Sequence, residues 1–125
     1  LGHFTHEKSP VGCRVALETL FEIEREGLLA KAKEMGAYAL KGFGQLKQEF
    51  DVIKDVRGLG LQMGIELTTA IPGLAEKVLY QCLDRGLSFK VTMNRILTLT
   101  PPLTVSYKEM DQAIGILRAS FKELC

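Results

Sequence analysis

Cysteine, net charge and long apolar runs are all scarce in this 125-residue chain, and each scarcity removes a class of protein. The three cysteines, Cys13, Cys82 and Cys125, are odd in number and far apart. That fits neither a disulfide framework nor the paired thiolates of a zinc site, so a reducing, cytoplasmic home is expected. Sixteen Lys and Arg against 15 Asp and Glu leave a formal charge of +1. No overall field draws such a chain to nucleic acid or to anionic lipid. No apolar run approaches the roughly 18–20 residues that span a bilayer, and no membrane partner is expected. His3, His6, Glu7 and Lys8 stand where a signal peptide would have its apolar core. Internal repeats and low-complexity segments are missing too. The chain starts Leu1-Gly2 with no initiator Met, and we expect a piece of something longer.

What is present is an ordinary globular composition, 46% hydrophobic and 25% charged. A chain of this length buries roughly 65–70% of its unfolded surface around a single core. Ser9-Pro10 is a helix start, because Ser caps an orphan N–H and Pro fits the first helical position. Cys13, Leu17, Leu20 and Ile23 then recur at helical spacing, predicting a helix over about 10–26. Gly27 closes it, and Leu28, Ala32, Met35, Ala39, Phe43 and Leu46 predict a second helix to about 49. Gly36, Gly42 and Gly44 each cost that helix about 1 kcal/mol relative to Ala, so it needs close packing.

After Asp51 the period falls to two. Val52, Ile53 and Val56 predict a short strand, and Leu61, Met63, Ile65 and Leu67 a half-buried one. Ala75, Val78, Leu79 and Cys82 predict a third helix stopped by Gly86. Leu87, Phe89 and Val91 alternate as a further strand. The stretch 95–100 is another, in which Thr98 faces away from Leu97 and Leu99 and Arg95 lies on the face opposite Thr98. Ser106 with Glu109 is a capping box opening a last helix with Met110, Ala113, Ile114, Leu117, Phe121 and Leu124 inward. The order predicts an α+β fold, a small sheet covered by helices.

The candidate chemistry is thin. His3, His6 and Glu7 offer metal-ligand types, but two His three apart in a loop are a weak pattern and a plain loop is preferred. The glycines of 58–64 invite comparison with a dinucleotide fingerprint, yet the third is one residue late and the segment runs into a strand. A tight turn and a strand crossed closely by other backbone explain them better. Ten lysines include no evident desolvated nucleophile, and no Ser-His-Asp, Cys-His or paired-carboxylate set stands out.

Three segments, taken together, say more. They are Gly2-His3-Phe4-Thr5-His6-Glu7-Lys8-Ser9-Pro10, Asp55-Val56-Arg57-Gly58-Leu59-Gly60-Leu61-Gln62-Met63-Gly64-Ile65-Glu66-Leu67, and Pro101-Pro102-Leu103-Thr104-Val105-Ser106. In this order and spacing they resemble the C-terminal part of class III aminotransferases, the ornithine, acetylornithine and 4-aminobutyrate type. The resemblance implies the C-terminal small domain of a fold-type-I transferase dependent on pyridoxal 5'-phosphate, usually a homodimer with active sites between subunits. On that basis residues 1–50 are a loop and two helices linking large to small domain, and 51–125 the small α/β domain.

The implied reaction transfers an amino group from an amine or amino acid to a 2-keto acid. Racemisation or decarboxylation on the same cofactor is the alternative, as is a noncatalytic stand-alone binding or dimerisation module. The imine-forming Lys is implied to lie upstream, so the 125-residue piece alone is expected to be inactive. Thr5 falls where the family has a Thr reaching the cofactor phosphate of the partner subunit. Thr98 falls where many members have an Arg that clamps the substrate carboxylate with its planar fork, which Thr cannot do. That departure predicts an amine or ω-amino donor, or a carboxylate held from elsewhere. Arg57 matches the family's Arg in the Val-Arg-Gly turn; a structural role tying that turn between strands is expected, with substrate contact the lesser alternative.

Overall fold

The computed structural model of the chain describes residues 9–125. Helix α1 (Pro10–Arg25) opens at Ser9, whose hydroxyl accepts the Gly12 N–H at 3.4 Å. Gly27, at φ 59°, turns the chain into α2 (Leu28–Glu49). The change to period two then produces β1 (Ile53–Leu59) and β2 (Gln62–Leu67), joined by the two-residue turn Gly60-Leu61. Gly60 stands at φ 55° there, the conformation a tight hairpin asks of its first central residue. Helix α3 (Leu74–Asp84) runs between left-handed Gly73 and Gly86. Strands β3 (Lys90–Thr92) and β4 (Ile96–Leu99) follow, and α4 (Tyr107–Leu124) closes the chain behind the Ser106–Glu109 capping box.

The four strands form one antiparallel sheet in the order β1-β2-β4-β3. β3 is shorter than the alternation of Leu87, Phe89 and Val91 predicts, because only Lys90–Thr92 pair with β4. Helix α2 lies against β1 and β2, α3 against β3 and β4, and α4 packs on α2 and α3. All three helices cover one face of the sheet. Met63, Ile65, Leu67, Leu97 and Leu99 point into that layer and meet Phe43, Leu46, Val78, Leu117 and Phe121. Burying each such side chain contributes about 1.5–3 kcal/mol.

The core runs without a break from Met35 to Phe121, so α2 shares it with the sheet. Gly36 explains how they approach so closely. A Cβ there would come within 2.8 Å of the Gly60 Cα and closer still to its carbonyl. Helix α1 behaves differently. None of its residues is buried, and Val11, Leu20 and Phe21 are 73%, 58% and 50% exposed. Its apolar stripe has the helical spacing predicted for it, but no described residue covers it. Among the described residues no helix is long and apolar enough to cross a membrane.

Candidate functional site

The sheet's second face is polar, and it carries the site residues predicted from the sequence that fall within the described chain. Because pairing partners share a face, the register defines a row straight across the sheet: Arg57 opposite Gly64, Gly64 opposite Thr98, Thr98 opposite Lys90. A second row places Asp55 beside Glu66, Glu66 beside Ile96, and Ile96 beside Thr92. Thr98 does face away from buried Leu97 and Leu99. Its hydroxyl lies 3.0 Å from that of Thr92.

Arg57 sits in β1 itself, three residues before the hairpin turn begins at Gly60. Its Nη1 donates to Asp55 Oδ2 and to Glu66 Oε2, both at 2.7 Å. The residue thus ties β1 to β2 across the polar face. The turn is held by Gly60. Hydrogen bonding from Arg57 holds the Asp55 carboxyl below the ordinary aspartate range, and the same bond raises the guanidinium's own pKa.

Arg95 corrects an expectation. Strand alternation predicts it on the face opposite Thr98, yet its Nε lies 3.1 Å from Glu66 Oε1, on the same face. The N–H is not aimed at the carboxylate, so the pair is electrostatic and Nε lacks an aligned acceptor. The reason is local. Met93 and Asn94 both adopt left-handed backbone (φ 52° and 56°), and the ladder resumes only at Ile96. Arg95 therefore belongs to the turn, where alternation has no force.

Thr5, His3, His6 and Glu7 lie outside the described residues. Among the described residues no group of three His, Cys, Asp or Glu is placed to hold a metal ion. Beside the last helix, Leu87, Phe89, Pro101, Val105 and Met110 line a cavity of about 500 Å³. Its carboxylate, Glu109, is already spent on the Ser106 backbone N–H at 2.8 Å and the hydroxyl at 2.7 Å. Every described lysine is exposed, so none offers the desolvated amine that imine chemistry needs. Lys90, Thr92 and the Glu66 bridge were not singled out from the sequence. The signal available for them was the polar phase of strands whose alternate residues are core.

The model of the class III aminotransferase family matches residues 4–121. The chain belongs to that family. Over its full length it is 44% identical to (R)-1-hydroxy-2-aminoethylphosphonate ammonia-lyase of Vibrio splendidus strain 12B01, covering 27% of that protein. It is 34% identical to leucine/methionine racemase of Thermococcus litoralis, with 99% of this chain and 30% of the relative aligned. An amine transaminase from an uncultivated Pseudomonas species, solved in a PLP-bound form, superposes on all of the chain and 30% of its own length. Its TM-score is 0.91 at 25% identity. The class III chain thus spans less than a third of these relatives, and its α+β fold is that of a domain within fold-type-I transferases.

Proposed function

We propose that this chain is the C-terminal domain of a pyridoxal-phosphate-dependent enzyme that moves an amino group from an amine or amino acid to a 2-keto acid. The family match carries the reading, because it covers residues 4–121, from the segment that includes Thr5 through the polar sheet face to the last helix. The start of α1 suits a phosphate: no acidic side chain occupies its first turn, and the Ser9 hydroxyl caps it. Thr5 and this helix end would hold the cofactor phosphate. When bound, the cofactor supplies an electron sink, and the imine-forming lysine comes from upstream of this chain.

The chain's own part is to present the polar sheet face to the substrate. Arg57 and Glu66 brace that face, and Thr98 lies on it where the resemblance puts the carboxylate-clamping Arg. A homodimer is supported by the uncovered apolar stripe of α1. Three unpaired cysteines, two of them exposed, support a cytoplasmic setting.

Elimination of ammonia is a second reading, favoured by the 44% identity to the Vibrio lyase, whose named substrate is an aminoethylphosphonate. The deciding experiment reconstitutes the full-length parent with pyridoxal phosphate and supplies amines with and without a 2-keto acid. Keto-acid-dependent turnover without free ammonia is expected. Ammonia release without a keto acid would establish the lyase, and inversion of a chiral substrate's configuration with its amino group retained would point to a racemase. Thr5→Val should weaken cofactor retention in that protein; unaltered affinity removes Thr5 from the phosphate site. Finally, a native polypeptide of only 13.9 kDa in the source cell would leave the stand-alone binding module as the reading to pursue.

A further inference from the structure

Resting on that reading of the polar face as the substrate-facing one, we infer that Lys90, Thr92 and Thr98 form a subsite for a tetrahedral oxyanion on the amine substrate, a phosphonate or phosphate ester. The first observation is charge. Among the described residues this face carries three cations, and two of them are engaged: Arg57 by Asp55 and Glu66, Arg95 by Glu66. Among the described residues no carboxylate stands within ion-pair distance of Lys90, the direct cross-strand partner of Thr98.

The second is hydrogen-bonding capacity. In the Thr92–Thr98 pair one hydroxyl donates to the other, so one O–H remains free to donate outward. The third is room. Gly64 stands beside Thr98 in the same row, and without a side chain it leaves a floor between Thr98 and Arg57. A Cβ there would sit 3.4 Å from Ile96 Cγ2.

A planar carboxylate is best held by a guanidinium fork, two parallel N–H groups on two oxygens. This cluster is of another kind. A point-charge ammonium on the edge strand and a hydroxyl donor from the pair that links this strand to β4 approach from separate directions, as the three oxygens of a tetrahedral head require. Such a head carries more charge than a carboxylate, which favours the unneutralised Lys90 further.

The test titrates the reconstituted full-length holoenzyme with 2-aminoethylphosphonate, O-phosphoethanolamine, 3-aminopropanoate and propylamine, following the cofactor's visible absorbance. We expect both tetrahedral ligands to bind at least about tenfold more tightly than the carboxylate, as one added charge-assisted hydrogen bond allows. Tighter binding of the phosphonate identifies a carbon–phosphorus substrate, and tighter binding of the ester a phosphorylated amine. Lys90→Gln should lower the affinity ratio of phosphonate to propylamine about ten- to hundredfold, and Lys90→Arg should restore most of it. Thr98→Arg, which supplies a fork, should shift preference toward 3-aminopropanoate. Equal binding of carboxylate and phosphonate, or an unchanged ratio in Lys90→Gln, overturns the subsite while the amine-dependent spectrum upholds the proposed function. A protein that develops no cofactor band, or one that no amine perturbs, overturns both.

Discussion

Two glycines on one helix should respond to the same substitution with opposite signs. Gly36 and Gly44 both lie inside α2, where Gly costs about 1 kcal/mol relative to Ala. At Gly44 an added Cβ meets nothing within 4 Å, so Gly44→Ala should recover most of that, stabilising the chain by about 0.5–1 kcal/mol. At Gly36 the new Cβ would lie 2.6 Å from the Gly60 carbonyl carbon and 2.8 Å from its Cα. Both obstacles are backbone, held by the β1–β2 hairpin, so no side chain can rotate away. The helix must instead lift off the hairpin, separating Met35 and Ala39 from Leu61 and Met63. Overpacking of this kind costs about 3 kcal/mol. Less the gain in helix propensity, the net loss is about 2 kcal/mol.

The two variants therefore differ by about 3 kcal/mol for one and the same added methyl. With a urea m-value of about 2 kcal/mol per molar, Gly36→Ala should lower the unfolding midpoint by about 1 M and Gly44→Ala raise it by a few tenths. Equal midpoints for the two variants would refute the close crossing of α2 over the hairpin.

Three further outcomes follow from the packing and the caps. Ser106→Ala should destabilise the chain by about 1 kcal/mol in urea unfolding by removing the N-cap of α4. Hydrogen bonds from Ser106 hold Glu109 below its ordinary value of 4.5, so its contribution is present above that pH and lost as pH falls through the lower folded value. In Ser106→Ala the unfolding midpoint should fall less steeply with acidification, and parallel pH profiles would count against the box. Cys82 is fully buried beside Ser120 and burial raises its pKa, so of the three thiols only Cys13 and Cys125 should react quickly with an aromatic disulfide; three fast thiols would contradict the core. The uncovered stripe of α1 should make the 125-residue chain self-associate, and Leu20→Lys should weaken association at least about tenfold by sedimentation. A strictly monomeric wild type at high concentration would show that the stripe needs no cover.

Much of the fold was legible because local chemistry fixes where elements start and stop. Ser9-Pro10, Gly27, Gly86 and the Ser106–Glu109 pair mark helix ends by hydrogen bonds and backbone freedom that reach only a few residues. Period-two patterning likewise placed Met63, Ile65 and Leu67 on the buried face. Pairing order was not legible. Alternation tells which face a residue takes and nothing about which strand lies beside it, so the neighbourhood of β2 and β4 had to come from the structure. The same gap hid Lys90, whose relation to Thr98 exists only through the register. Arg95 was misread for a narrower reason. Two left-handed residues in succession interrupted the extended chain on which the parity argument depends.

That division has a consequence for how the domain can change chemistry. Along β4, Leu97 and Leu99 serve the core while Ile96 and Thr98 face the polar side; along β3, Val91 turns inward and Lys90 and Thr92 outward. On the proposed reading of the polar face, fold and specificity are therefore written in opposite phases of the same strands, and a substitution in one phase leaves the other's contacts in place. Relatives named as a lyase and a racemase align with nearly all of this chain at 44% and 34% identity, as such a division permits. The bracing of the polar face by Arg57 and Glu66 then matters more than its cost or gain in stability. It holds β1 and β2 in register at Gly64, so that on the proposed reading of this face exchanging Thr98 or Lys90 would change which ligand head is met without moving the surface that meets it.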